Sequence, residues 1–183
     1  MASPSKEDQM LELILENSPL REWHFGEIVQ EAKMTKAVAN KWLKKYVREG
    51  LLRRIKEKGR FPHFTVGVQN PVYQSLKRVY ALTQLHQCGL IPKLLSLNAA
   101  KTVILFGSSV KGDWYKGSDV DIFVLGSIPD FEKNIYERRL GKHIELHLFQ
   151  NTAEVREVKT GLMKNIINGY VVKGQIQDVV EVA

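Results

Sequence analysis

The spacing of hydrophobic residues predicts three helices and a hairpin in the first third of the chain. Apolar positions recur every three or four residues in 10–15, 25–32 and 36–47, which is the period of helices with one buried face. Thr35 is placed to cap the third helix, and Gly50 is placed to end it. Two runs rich in β-branched and aromatic residues follow, and they predict a hairpin that ends near residue 68.

A long helix and several strands are predicted in the rest of the chain. Residues 71–88 have apolar positions at helical spacing, and Gly89 to Pro92 interrupt this pattern before a shorter helix. Buried strands are predicted where the pattern becomes wholly apolar or alternates with period two, in TVILF (102–106), DVDIFVL (119–125) and HIELHLF (143–149).

These elements predict a two-domain protein of the α+β class. The expected domains are a small helical domain with a hairpin at 1–68 and a small α/β domain with a mixed sheet at 98–183, joined by a helical linker at 69–97. The linker is interpreted either as a spacer packed on the domains or as a contact between two copies. The oligomeric state, including a homodimer, therefore stays open.

Positive charge is concentrated in one short segment. The chain of 183 residues has a net charge of +7, but residues 36–60 alone contain ten Lys or Arg against two Asp or Glu. Such a cluster indicates a surface that faces polyanions, although a solvated helix face would also carry it. The candidate nucleic-acid contacts are Lys36, Asn40, Lys41, Lys44, Lys45, Arg48, Arg53, Arg54, Lys58 and Arg60.

Composition excludes several classes of protein. With 44% hydrophobic and 26% charged residues, the chain is expected to be globular, and its apolar runs are too short to span a membrane. Its polar N-terminus does not resemble a secretory signal. The single cysteine, Cys88, excludes an internal disulfide framework and a cysteine zinc site. A cytoplasmic location and no membrane partner are expected.

The basic segment and the hairpin resemble a known DNA-binding family. The stretch TKAVANKWLKKYVREGLLRR is similar to the recognition helix and first wing strand of the winged helix-turn-helix family, over about residues 5–68. The resemblance implies a third helix in the major groove of double-stranded DNA, with the wing along the backbone or in the minor groove. Winged helices also serve as protein-docking modules, so that alternative stays open.

Two aspartates occupy the start of an otherwise apolar strand. Asp119 and Asp121 are two residues apart, so they share one face of the strand, where their charges repel. A divalent cation would relieve this repulsion, and oxygen ligands indicate Mg²⁺ or Mn²⁺. Glu145, on the HIELHLF strand, supplies a third carboxylate if that strand lies alongside. The alternative is that the aspartates only cap a turn.

Gly107 and Ser108 follow the first buried strand and predict a phosphate-binding turn. A strand that ends in glycine and opens into a helix presents backbone N–H groups, and the serine hydroxyl adds a donor. GSSVKG is not a P-loop, because Asp113 and Trp114 stand where Lys and Ser or Thr are required.

Aromatic and histidine side chains near these residues have two interpretations each. Trp114 and Tyr115 either stack on a base or cover a core. His143 and His147 flank Glu145 in an H-x-E-x-H pattern that differs from the helical zinc motif, so they are interpreted as polar strand residues or nucleotide neighbours.

The spacing of Gly-Ser, ten residues and Asp-x-Asp resembles the signature of the DNA polymerase β-like nucleotidyltransferases. GSSVKGDWYKGSDVDIFVL looks most like the minimal nucleotidyltransferases of prokaryotes, of archaeal type, and the resemblance covers about residues 98–175. It implies that Asp119 and Asp121 bind the metals and that Gly107 and Ser108 hold the triphosphate. The third acidic residue would be Glu145, where the family usually has Asp. A further site residue is expected at the position where many relatives have Arg, namely the phosphate-contacting Lys111.

The resemblance implies a metal-dependent transfer of a nucleoside monophosphate to a hydroxyl. The site would use two metal ions and an NTP, with ATP favoured, and release pyrophosphate. Minimal nucleotidyltransferases commonly pair with small helical HEPN proteins as antitoxins that adenylylate the toxin, so a HEPN-type partner is one expected acceptor. A different class of function stays open, in which the chain is a transcriptional regulator whose second domain only senses nucleotide.

Overall fold

The computed structural model describes residues 4–180, and the chain divides into two compact units, Met1–Tyr80 and Ala81–Ala183. The first unit contains α1 (Lys6–Glu16), β1 (Trp23–His24), α2 (Phe25–Glu31), α3 (Lys36–Arg48), β2 (Leu52–Ile55), β3 (His63–Val66) and most of α4 (Pro71–Gln87). The second contains α5 (Leu90–Leu95), β4 (Ala100–Phe106), α6 (Ser108–Lys111), β5 (Val120–Gly126), α7 (Lys133–Leu140), β6 (Ile144–Phe149), α8 (Thr152–Arg156), α9 (Thr160–Ile167), β7 (Tyr170–Lys173) and α10 (Gln177–Val180). The expected α+β class with a mixed sheet is confirmed.

The first unit packs three helices on a small antiparallel sheet of order β1-β3-β2. Side chains cap α1 and α3, since Ser5 begins α1 with a capping box and the hydroxyl of Thr35 accepts from Val38 N at the start of α3. Gly50 has a φ of 72°, the left-handed conformation expected where α3 ends. The core joins apolar faces of α1, α2 and α3 to the sheet, with Met10, Trp23, Ile28, Leu43, Tyr46 and Phe64 among its buried residues.

The second unit is built around a mixed sheet of order β6-β5-β4-β7. β4 pairs antiparallel with β5 and with β7, whereas β5 and β6 run parallel. Because β4 and β5 are central, most of their residues are buried and apolar, as the TVILF run indicates. One face packs on α8, α9 and α10 through a core that contains Ile104, Phe106, Phe123, Leu125, Val155, Met163 and Ile166.

The helix after Gly89 begins earlier than the sequence pattern predicts. Gly89 has a φ of 88° and separates α4 from α5, but α5 starts at once, at Leu90, and includes Pro92. Proline is tolerated there because the N–H groups of the first helical turn have no partner within the helix. Among the described residues, no helix is long and apolar enough to cross a membrane.

Candidate active site

Asp121 and Glu145 face each other across the parallel strands β5 and β6. The strand register pairs Asp121 with Glu145 and Phe123 with His147. Side chains at alternate positions share a face, so both strands direct their polar residues to the same side. Oxygen or nitrogen atoms of Asp121, Glu145 and His147 all lie within 4.8 Å of one another. We call these three residues the donor group.

His147 belongs to the donor group, although the sequence pattern led us to interpret it as a polar strand residue or a nucleotide neighbour. Its Nε2 lies 3.4 Å from Oε1 of Glu145, and its ring contacts that of Phe106 with centroids 5.1 Å apart. Phe106 on β4 therefore supports the imidazole against the sheet. The alternation of HIELHLF places His147 on the face of Glu145, and that was the one signal by which sequence reasoning could have included it.

The donor group suits a divalent cation. Burial raises the pKa of Asp121, and the nearby Glu145 carboxylate raises it further, while His147 acts in the opposite direction. The cause is the unfavourable placing of two negative charges at a half-buried position, which a bound cation would reverse. The two carboxylates are ligands that Mg²⁺ and Mn²⁺ prefer, and the imidazole is a further donor for a transition metal such as Mn²⁺.

Gly107 makes room for the Asp121 carboxylate. The residue follows β4 with φ 71° and ψ −146°, a conformation open almost only to glycine. A Cβ added there would overlap Oδ2 of Asp121 and stand 2.9 Å from its Cγ. The glycine that the sequence marked as a phosphate-binding turn therefore also lets a carboxylate of the donor group approach the backbone.

Asp119 lies beside the donor group and outside it. The residue is exposed and immediately precedes β5, and its charge contributes to the raised pKa of Asp121. Ser108 reaches this segment, because its Oγ donates to the carbonyl oxygen of Asp119 at 3.3 Å. The structure thus gathers Gly107, Ser108, Asp119, Asp121 and Glu145 at one end of β4, β5 and β6.

Lys111 extends this cluster toward α9. Its Nζ donates to Oδ1 of Asn165 at 2.7 Å, and its positive charge counteracts the raised pKa of Asp121. Asn165 lies on a helix distant in sequence, so no local pattern could have placed it next to the turn. This contact holds the lysine on the side of the carboxylates.

Lys142 contacts the loop that precedes β5 and stabilises its conformation. Nζ of Lys142 lies 4.1 Å from the ring centroid of Trp114 and donates to the carbonyl oxygens of Tyr115 and Ser118. Ser118 closes the loop, since its Oγ accepts from Tyr115 N at 3.1 Å. Trp114 is buried and covers the core, whereas Tyr115 stays partly exposed over Gly117. These contacts fix the backbone just before Asp119.

Comparison with known proteins identifies the domain that carries this site. Residues 88–178 match the family model of the nucleotidyltransferase domain. This segment is similar to nucleotidyltransferase domains. A search of curated proteins and a search of solved structures each found no match to the chain. The match includes every residue of the cluster around Asp121, and it supports a transferase activity for this segment.

The ten predicted nucleic-acid contacts lie in the first unit, on α3, β2 and the turn after β2. All of them except Lys45 are exposed. Four of the ten line one cavity of about 440 Å³ between α3 and the hairpin, namely Asn40, Lys44, Arg48 and Arg54. Lys36, Lys41, Arg53, Lys58 and Arg60 are exposed but do not line it. Arg53 and Arg54 are neighbours on β2, so their side chains point to opposite faces of the strand.

Lys45, one of the candidate nucleic-acid contacts, is half-buried and pairs with acidic residues of its own unit. Its Nζ forms an ion pair with Glu7 on α1, lies 4.0 Å from Glu49 and sits 5.4 Å from the Trp42 ring centroid. The hydrogen bond to Glu7 raises the pKa of Lys45. The side chain therefore ties α3 to α1. The helical period predicts a polar residue at position 45, but it cannot predict the partner, because Glu7 precedes Lys45 by 38 residues.

Proposed function

We propose that the nucleotidyltransferase domain transfers a nucleoside monophosphate from an NTP, with ATP favoured, to a hydroxyl of a protein or nucleic-acid acceptor. The observation that carries the proposal is the pairing of Asp121 with Glu145 across parallel strands, with Gly107 against Asp121. Carboxylates concentrated beside a glycine-serine turn provide what phosphoryl chemistry needs, namely sites for cations and for phosphate oxygens.

Asp119, Asp121 and Glu145 are the proposed metal-binding carboxylates, with His147 as an additional donor. The fit of Asp121, Glu145 and His147 rests on the short separation of their donor atoms. Asp119 is included because its charge contributes to the raised pKa of Asp121. A bound Mg²⁺ or Mn²⁺ would polarise the phosphoryl oxygens and lower the pKa of an attacking hydroxyl.

The chain's own residues then position the reactants. The acceptor oxygen forms a bond to the α-phosphorus, the bond from that phosphorus to the bridging oxygen breaks, and pyrophosphate leaves. Glu145, the most exposed carboxylate of the donor group, is the proposed acceptor of the hydroxyl proton. Ser108 and Lys111 lie on α6, directly after β4, and are the proposed contacts to the phosphates.

A HEPN-type protein is one proposed acceptor, and its hydroxyl would receive the AMP group. This acceptor follows from the resemblance to minimal nucleotidyltransferases that act as antitoxins. The other proposed acceptor is a nucleic-acid hydroxyl, which the basic unit of the same chain would recruit.

The N-terminal unit is proposed to be a winged helix that binds double-stranded DNA. Support comes from the element order α1-β1-α2-α3-β2-β3 and from the antiparallel sheet in which β2 and β3 form a hairpin. The four side chains that line the cavity beside α3 supply three positive charges and one amide, a set suited to phosphates and base edges.

The test is nucleotide transfer with α-labelled ATP, CTP, GTP and UTP in turn, with Mg²⁺ or Mn²⁺ and a lysate of the source organism. The parent chain and Asp121→Asn are compared, and protein and nucleic-acid fractions are separated afterwards. Label that requires Asp121 identifies the nucleotide and the acceptor class together. Equal labelling by the variant would remove Asp121 from the mechanism.

Pyrophosphate release separates transfer from nucleotide sensing. A regulator that only senses nucleotide binds an NTP with metal and releases no pyrophosphate. The parent chain is expected to release pyrophosphate with its acceptor present, whereas Asp121→Asn is not. Binding without release in both proteins would favour the sensor.

A further inference from the structure

An aromatic cavity adjoins the basic cavity of the N-terminal unit. It has a volume of about 580 Å³, within the range of roughly 300–1,000 Å³ common for small-molecule pockets. Its walls come from the start of α2, from α3 and from the hairpin, and they consist of His24, Phe25, Gly26, Asn40, Arg54, Phe61, Pro62 and Phe64. Aromatic rings therefore dominate a surface that also carries one arginine and one amide.

The aromatic and basic cavities are parts of one groove. Asn40, Arg54 and Phe64 line both of them. Beyond this shared boundary, the basic cavity adds the cationic side chains of Lys44 and Arg48. Among the described residues that line the two cavities there is no Asp or Glu. One groove thus offers a cationic half and an aromatic half, with an amide between them.

Phe61 stands at the open edge of the aromatic half. The ring is 86% exposed and lies outside the hydrophobic core of its unit. The hairpin turn with Gly59 at φ 80° brings it there, and Pro62 restricts its backbone to an extended conformation. A phenylalanine held this way contributes little to folding, because its ring remains in water in the folded chain.

We infer that this groove binds duplex DNA that contains an unpaired base, with the base stacked against Phe61 and Phe25. The inference rests on the proposed nucleic-acid binding of the N-terminal unit and specifies its ligand. Lys44, Arg48 and Arg54 face the phosphates, and the amide of Asn40 is placed to pair with a base edge. Aromatic platforms beside a cationic groove are the general means of holding unstacked bases.

Charge complementarity favours this occupant over a peptide. An apolar peptide would fill the aromatic half but leave the cations of the other half without partners. A nucleic-acid strand satisfies both halves, since each nucleotide pairs a negatively charged phosphate with a flat ring. The two halves are adjacent, because Asn40 and Arg54 line both cavities.

The experiment measures binding of the full chain to two labelled DNA duplexes by fluorescence anisotropy. The duplexes have the same sequence, and one carries a single unpaired thymine. The parent is expected to bind the duplex with the unpaired base about tenfold more tightly, equivalent to ~1.4 kcal/mol. Phe61→Ala is expected to lose this preference while it keeps its affinity for the intact duplex and its salt dependence, because stacking involves no counterion release.

Two variants of the same unit serve as controls. Leu20→Ala removes an equally exposed apolar side chain, 84% exposed, that lines neither cavity, and it should leave the preference unchanged. Phe61→Trp keeps a stacking ring and should retain the preference.

Other outcomes would overturn the inference in distinguishable ways. Equal binding of both duplexes by the parent contradicts the unpaired-base site and leaves the proposed DNA binding intact. A preference that survives in Phe61→Ala also contradicts it. If the parent binds neither duplex, the proposed DNA binding fails, and the inference fails with it.

Discussion

The Asp121 carboxylate lies in the space that a side chain at position 107 would occupy. The glycine ends β4, the aspartate lies on the neighbouring strand β5, and a Cβ at Gly107 would overlap the Asp121 carboxylate. The positive φ of Gly107 excludes other residues for a second, independent reason. The turn and the proposed metal-binding carboxylate of Asp121 are therefore coupled, because Gly107 has no Cβ to displace that carboxylate.

Gly107→Ala is expected to displace the Asp121 carboxylate and weaken metal binding. Strain at this conformation should lower the free energy of unfolding by roughly 1–3 kcal/mol. Loss of the carboxylate's position should lower Mn²⁺ affinity by about 10- to 100-fold, as changes next to metal ligands generally do. Titration of Mn²⁺ by electron paramagnetic resonance measures the affinity, and urea unfolding measures the stability.

Gly161→Ala is the matched control for this substitution. Gly161 lies in α9, where an added Cβ would have no atom within 4 Å. Alanine in a helix is more stable than glycine by roughly 0.5–1 kcal/mol, so this variant should be slightly stabilised and bind Mn²⁺ as the parent does. Similar Mn²⁺ affinities for both alanine variants would contradict the coupling of Gly107 to Asp121.

Asp121→Asn is expected to remove a pH dependence of the metal-free chain's stability without loss of the fold. The pKa of Asp121 is raised above its ordinary value of 3.8, so the folded chain binds the proton more tightly than the unfolded chain does. Without metal, the parent should therefore lose stability as the pH rises from about 3.8 through the raised pKa, and the asparagine variant should lack this loss. Thermal unfolding in EDTA across this pH range checks the sign.

Mg²⁺ is expected to reverse the order of stability between parent and variant. At a metal concentration of about 100 Kd, binding to the folded state alone contributes ~2.7 kcal/mol. The parent should gain this amount and Asp121→Asn much less, because one carboxylate of the donor group is gone. An equal gain in Mg²⁺ would show that the ion binds elsewhere.

Local patterns predicted the elements that carry the site better than the contacts between them. The alternation in DVDIFVL and HIELHLF predicted which residues share a face, since side chains alternate along any strand. The parallel register that sets Asp121 opposite Glu145 depends on the whole sheet. From the sequence we could predict only that Glu145 would join the aspartates if its strand lay beside theirs.

Contacts made by residues distant in sequence could not be predicted from local patterns. The contact between Lys111 and Asn165 joins α6 to α9, and Lys142 reaches back to Trp114. Such pairs follow from how helices pack on the sheet, which no spacing along the chain records. The start of α5 at Leu90 is a smaller case, because proline ends a helix in its interior but not in its first turn.

His147→Gln is expected to change the preference of the site for Mn²⁺ over Mg²⁺. An imidazole nitrogen binds transition metals better than it binds Mg²⁺, which prefers oxygen. Loss of the ring should therefore lower Mn²⁺ affinity by about tenfold and leave Mg²⁺ affinity nearly unchanged. Mn²⁺ titration by electron paramagnetic resonance, with Mg²⁺ as competitor, measures both values.

His143→Gln provides the comparison for His147. His143 lies on the same segment, but its side chain is 60% exposed and its Nδ1 lies 2.9 Å from Glu137. It is not part of the donor group, so its loss should leave both metal affinities unchanged. A loss of Mn²⁺ affinity in both variants would point to a general effect of β6 instead of ligation by His147.

Lys44 and Lys45 are expected to have different roles although they are adjacent. Lys44 is exposed and lines the basic cavity, so Lys44→Ala should weaken DNA binding and lower the slope of log K against log salt by about 1. Lys45 is paired with Glu7, so Lys45→Ala should leave that slope unchanged and lower the stability only slightly, as is usual for a partly exposed ion pair. Anisotropy titrations at several KCl concentrations and urea unfolding give the two quantities. The opposite pattern, with the slope carried by Lys45, would mean that α3 presents a different face to DNA, because neighbouring helical positions lie about 100° apart.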